Sequence, residues 1–120
     1  MSCSVLIIED DALLRSAIAE GLSAEGFEVK SAANGRDALS VLGHWHPDLI
    51  ILDLAMPHMD GWLFRAEQRR LPSLAAIPVI VLSGAADTGA QLDELAVAAA
   101  LAKPCDLEVL KATISRVLDR

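Results

Sequence analysis

Short runs of apolar and β-branched residues alternate along this chain with longer segments whose apolar positions recur every three or four residues. The runs are Val5 to Ile8, Phe27 to Ser31, Leu49 to Leu52, Pro78 to Leu82 and Ala98 to Ala102, each of strand length. Between the first two, Leu14, Ala17, Ile18, Gly21 and Leu22 fall at i, i+3, i+4, i+7 and i+8, the stripe of a helix facing a core, and Gly26 is placed to end it. Asp11 is expected to help start that helix rather than bind metal. Asn34 predicts the cap of a second helix that buries Ala38, Val41 and Leu42 before Pro47 closes it. Asp60 predicts the cap of a third, around Trp62 to Arg70, with the charge run Glu67 to Arg70 as a solvated face. A short fourth helix falls within Asp87 to Leu95. Asp106 caps the last, whose stripe is Leu107, Leu110, Ile114, Val117 and Leu118. Apolar strands alternating with helices predict βαβ units and a parallel sheet covered on both faces.

Length adds that residues 1–120 suit one domain with one core. A formal net charge of -7 argues against nucleic acid as a direct partner, because phosphate binding needs a basic surface. It fits a protein or a divalent cation better. Two cysteines, Cys3 and Cys105, without a secretory signal segment indicate reduced thiols and a cytoplasmic location. No apolar run approaches the roughly 18 residues of a membrane span, so membrane insertion is not expected.

Four of the five predicted strands lead into a polar residue: Glu9 and Asp10 after the first, Asp53 after the third, Ser83 after the fourth and Lys103 after the fifth. In an open doubly wound sheet these carboxyl ends converge on the ligand site. Carboxylates gathered there repel one another and need a positive partner. A hard divalent ion with oxygen ligands fits, Mg2+ in particular, since it binds one or two carboxylates while keeping waters for a phosphoryl group. Lys103 supplies a point charge for Asp53 or a phosphate oxygen, and Ser83, beside Gly84, a hydroxyl. Acid cluster, hydroxyl and lysine together are what phosphoryl transfer requires.

The pieces IIEDD, NGRDAL, PDLIILDLAMPHMDG, PVIVLSG and AKP stand in an order and spacing that resemble the response-regulator receiver domains of two-component signalling, of the chemotaxis-regulator type, over essentially the whole chain. That resemblance implies a flavodoxin-like doubly wound (βα)5 fold with strand order 2-1-3-4-5. It further implies that Asp53 accepts a phosphoryl group from a histidine kinase or phosphotransfer protein. Asp10 and Asp53 would ligate Mg2+ directly, Glu9 through a water, and the Ala55 backbone carbonyl would complete the set. Ser83 and Lys103 would bind phosphoryl oxygens, and Lys103–Pro104 resembles the family's cis peptide. Such a domain is not an enzyme beyond assisting its own phosphorylation and dephosphorylation, and it switches a surface read by a downstream protein that the sequence leaves unknown.

Three departures from the family pattern stand out. The aromatic residue usual three positions before the lysine is replaced by Ala100, so a ring-swinging relay cannot operate and signalling is expected to pass by backbone and helix displacement. Leu95 to Ala102 is alanine-rich where the family has glycine and acidic residues. Cys105 stands where Phe is common and reads as a small apolar filler. Ala55 is small and leaves an acyl phosphate open to water, which predicts modest persistence.

Other polar residues read more simply. His44 and His46 lie between helix and strand as solvated loop residues, His58 is solvated near the site, and Trp62 packs at a helix start. Two other functions compete with this one. A phosphorylation-independent interaction module is compatible with Ala100. A haloacid-dehalogenase-type phosphatase needs a second Asp two residues after the acceptor as general acid, and Ala55 has no proton to give.

Overall fold

The computed structural model describes residues 3–56, 59–84 and 87–118. Five strands, β1 (Ser4–Ile8), β2 (Glu28–Ala32), β3 (Leu49–Asp53), β4 (Val79–Ser83) and β5 (Ala99–Ala102), form one parallel sheet in the order β2-β1-β3-β4-β5. This is the expected flavodoxin-like order, with the winding reversed between β1 and β3. The helices are α1 (Ala12–Ala24), α2 (Gly35–Leu42), α3 (Gly61–Arg70), α4 (Pro72–Ala75), α5 (Gly89–Glu94) and α6 (Leu107–Val117). Among the described residues no helix is long and apolar enough to cross a membrane.

Alternation along the strands divides the core into two layers. Leu6, Ile8, Ile50, Leu52, Val79 and Val81 face Ala38, Leu42, Phe64, Leu74 and Leu95 on the side of α2 to α5. Val5, Ile7, Leu49, Ile51, Ile80 and Leu82 face Ile18 and Leu22 of α1 and Leu110 and Ile114 of α6. Covered on both sides, β3 and β4 are buried along their whole length, which is why they read as unbroken apolar runs. The burial of β3 carries through to Asp53, whose exposure is 1%.

Local polar chemistry sets the helix ends. Asp11 Oδ1 accepts from the amides of Leu13 and Leu14 at 3.0 and 3.1 Å, as expected of a residue that starts α1. Asn34, Asp60 and Asp106 cap α2, α3 and α6 through the amides of Asp37, Leu63 and Glu108. Gly26 takes φ +95°, and the amides of Gly26 and Phe27 fold back onto the carbonyls of Ser23 and Leu22 to finish α1.

Several expectations need correction. Ala17 is exposed rather than core-facing, because α1 and α6 do not close fully; a cavity of about 100 Å³ remains between them, lined in part by Leu14, Ala17, Cys105 and Leu107. Helix α2 ends at Leu42 on Gly43, whose amide bonds Leu39 and Ser40, well before Pro47. Helix α4 was not expected: four residues carry no period, and only Pro72 in the first turn marks it. Nor is the charge run of α3 wholly solvated, since Gln68 within it is completely buried. Strand β5 is half exposed along its length.

Candidate phosphoacceptor site

The carboxyl ends of β1, β3, β4 and β5 bring the expected polar residues together. Glu9 and Asp10 follow β1, Asp53 and Ser83 close β3 and β4, and Lys103 follows β5. Carboxylate oxygens of Glu9, Asp10 and Asp53 all lie within 4.8 Å of one another. Lys103 Nζ sits 2.8 Å from Asp53 Oδ1 and 3.2 Å from Glu9 Oε1. Its backbone amide donates to the Ser83 carbonyl at 2.9 Å, so β4 holds the lysine in place, and the Lys103–Pro104 peptide is cis. Ser83 itself is 6% exposed.

Elements around the cluster fix its acids from the backbone side. The Ala55 amide donates to Asp53 Oδ1 at 3.2 Å, and the Asp11 amide to Glu9 Oε2 at 3.3 Å. The Glu9 amide bonds the Ala32 carbonyl of β2 at 3.1 Å. Arg15, one turn into α1, donates from Nη1 to the Glu9 carbonyl at 2.9 Å, a contact that sequence reasoning missed because Arg15 lies off the apolar stripe. Glycine is required at position 61: a Cβ there would lie 2.5 Å from the Asp53 carbonyl oxygen and 2.6 Å from Leu54 Cα.

Three carboxyl groups against one ammonium leave the site short of positive charge. Burial, reinforced by contacts with Asp53 and Asp10, pushes Glu9 from 4.5 up to about 7. Desolvation opposes ionisation of Asp10 too, yet its contacts with Glu9 and Asp53 and the Lys103 charge outweigh it and hold Asp10 below the ordinary aspartate value. Desolvation likewise works against the Lys103 ammonium, but its contacts with Asp53 and then Glu9 hold it above the usual lysine value. Among the described residues the buried Asp53 Oδ2 has no hydrogen-bond partner, and the buried Glu9 Oε1 meets only the Lys103 ammonium, at 3.2 Å. Buried unpartnered acceptors are costly, and an all-oxygen donor set with such atoms turned inward suits a hard divalent cation.

The remaining candidates divide. Ala55 is exposed beside Asp53, and Ala100 presents its methyl group to solvent on β5, opposite Val81. Cys105 is half-buried, packed against the core layer under α1 and α6 as a small apolar residue and lining the cavity between them, and burial raises its thiol pKa. Cys3 and Cys105 are both free thiols. His44 is exposed; His46 is exposed as well, but its Nε2 lies 3.0 Å from the Ser73 carbonyl. Trp62 is half-buried against the core, and His58 lies outside the described residues.

A family model described as "Response regulator receiver domain" matches residues 5–115. The chain belongs to the response regulator receiver family. It is 37% identical over 116 residues to the transcriptional regulatory protein AfsQ1 of Streptomyces coelicolor, covering 97% of this chain and 48% of that protein. The chain thus spans about half the length of that curated relative. Among solved structures, the signal receiver domain of a signal transduction histidine kinase from Syntrophus aciditrophicus superposes with a TM-score of 0.91 at 32% identity, over 98% of this chain and 91% of the other. Chemotaxis response regulator CheY4 of Vibrio cholerae gives 0.89 at 28% identity, over 98% and 99%. The receiver is a phosphorylatable switch of two-component signalling, and its acidic pocket is the kind that holds Mg2+ in the family.

Proposed function

We propose that Asp53 is the phosphoacceptor of this receiver, and that residues 1–120 act as one signalling domain in the cytoplasm. Asp53 Oδ1 is engaged by Lys103 and the Ala55 amide, whereas Oδ2 has no hydrogen-bond partner among the described residues, and that asymmetry carries the reading. The free oxygen attacks the phosphorus of a phosphohistidine on a histidine kinase or phosphotransfer protein. A P–O bond forms as the P–N bond breaks, and the electron pair leaves with the imidazole nitrogen. In this reading Lys103, held charged between two acids, meets the phosphoryl oxygens, and the Ser83 hydroxyl donates to them. A magnesium ion held by Asp10, Asp53 and the Ala55 carbonyl, with Glu9 acting through a water, would neutralise charge on the transferring group.

Turnover of small phosphoesters finds no support in the site, since the residue two beyond Asp53 is an alanine without a proton to donate. Incubation with acetyl phosphate and Mg2+, read by intact mass, tests the reading. One added phosphoryl group on the wild-type chain, absent from Asp53→Asn, is expected. No gain, or equal gain by the variant, would overturn it.

A further inference from the structure

Helix α3 begins against the acidic cluster and runs toward the end of α5. Its first residue, Gly61, has no room for a methyl group beside the Asp53 carbonyl, and its amide donates to the Leu54 carbonyl at 3.0 Å. One turn on, Arg65 is buried and its guanidinium donates in three directions: Nε to the Leu95 carbonyl at 2.9 Å, Nη2 to the Ala96 carbonyl at 2.8 Å, and Nη1 to Gln68 Oε1 at 2.8 Å. Another turn on, Arg69 Nη1 reaches the Glu94 carbonyl at 3.2 Å. Side chains of α3 therefore hold the successive carbonyls of residues 94, 95 and 96, where α5 ends. Gln68 braces the fork from behind by donating to the carbonyls of Leu74 and Ile77 at 3.0 and 3.1 Å.

Packing alone does not call for this arrangement. A buried guanidinium usually faces a carboxylate, because leaving its charge uncompensated is expensive. Among the described residues Arg65 makes no ion pair; its acceptors are neutral oxygens. Helix α5 contains no buried residue of its own, so Leu95 and the Arg65 fork are what fix its end. Ala96, whose carbonyl the fork grips, has φ 52°, a left-handed conformation that is unfavourable for a residue with a Cβ. Directly beyond it lies a notch of about 190 Å³ lined by Leu92, Asp93, Ala96, Val97, Ala99 and Ala100.

We propose that α3, through the Arg65 fork, carries the state of Asp53 to the α5–β5 surface, in place of a ring at position 100. The proposal rests on Asp53 being the phosphoacceptor. Any shift of the β3 end when a dianionic group is added must move Gly61, since no slack separates them. A helix transmits that shift along its axis, and the planar fork passes it to two adjacent carbonyls at once. The left-handed turn at Ala96 then reorients the notch. Lysine cannot reproduce this, because its single ammonium lacks the fork geometry. Transmission of this kind needs an element that both sites bias, and α3 is the packed element in contact with each.

Backbone amide spectra of the whole chain, with and without Mg2+ and beryllofluoride, test the proposal in wild type, Arg65→Lys and Arg69→Ala. Wild type is expected to show changes at residues 53–61, along α3 and at residues 94–100. Arg65→Lys should keep the first set and lose at least half of the displacement at 94–100, and Arg69→Ala should lose a smaller share. Undiminished changes at 94–100 in Arg65→Lys would overturn the proposal, as would wild-type changes that stop at α3. Should Arg65→Lys fail to fold, the exposed Arg69→Ala decides the matter: full wild-type displacement at 94–96 would overturn the coupling. No response at Asp53 in wild type would instead remove the phosphoacceptor reading itself.

Discussion

Replacing Glu9 with glutamine should make the metal-free protein more stable at pH 8 while weakening its hold on Mg2+. The Glu9 side chain is sealed from solvent, and burial together with its acidic neighbours moves its pKa from 4.5 to about 7. Between those values the folded state binds more protons than the unfolded chain, so the carboxyl removes stability progressively as pH rises from 4.5 through about 7. A shift of that size corresponds to about 3 kcal/mol at full ionisation. Glutamine also gives up the attraction to Lys103 at 3.2 Å, which offsets part of the gain. The net expectation is on the order of 1–2 kcal/mol in favour of Glu9→Gln at pH 8. At pH 5 the folded wild-type carboxyl is still protonated and only the first part of the loss has occurred, so the two proteins should agree to within about 1 kcal/mol. Urea unfolding in the presence of a chelator, followed by the fluorescence of Trp45 and Trp62, measures both differences. The same difference at pH 5 and pH 8, or a destabilised variant at pH 8, would refute the reasoning.

Gly61→Ala should cost about 1–3 kcal/mol by overpacking against the end of β3, more than the gain of up to about 1 kcal/mol in helix propensity, and should slow phosphorylation of Asp53. An unchanged urea midpoint would contradict this. Asp11→Ala removes the acceptor of two α1 amides and should cost about 1 kcal/mol in the same melts; a change below about 0.3 kcal/mol would show that the cap is dispensable. Ile51→Ala, in the middle of the buried β3, should cost about 2–5 kcal/mol, and a smaller loss would mean that the two core layers collapse around the gap.

Much of the architecture was legible because this fold repeats one local grammar. Runs buried on both faces carry no alternation, so β3 and β4 stand out, while Asn34, Asp60 and Asp106 mark helix starts by chemistry that acts within a few residues. The site could be read for a related reason: strands of a parallel sheet all deliver their carboxyl ends to one edge, so Glu9, Asp10, Asp53, Ser83 and Lys103 meet once the order is known. Long-range polar contacts were not legible. Gln68 sits in the run Glu67 to Arg70 that reads as a charged, solvated face, Arg65 just before it carries no signal of its own, and only the carbonyls of Leu95, Ala96, Leu74 and Ile77, most of them distant in sequence, account for their burial. Helix α4 is too short to show a period. The exposure of Ala17 depends on how far α1 stands from α6, and no local pattern encodes that gap.

A crystal structure of the chain grown with Mg2+ and beryllofluoride tests the central claim most directly. The fluoride complex is expected on the Asp53 carboxylate, with Lys103 and Ser83 turned to its fluorines and the metal among Glu9, Asp10 and Asp53. An empty pocket in which Lys103 still bridges Asp53 and Glu9 would contradict the account.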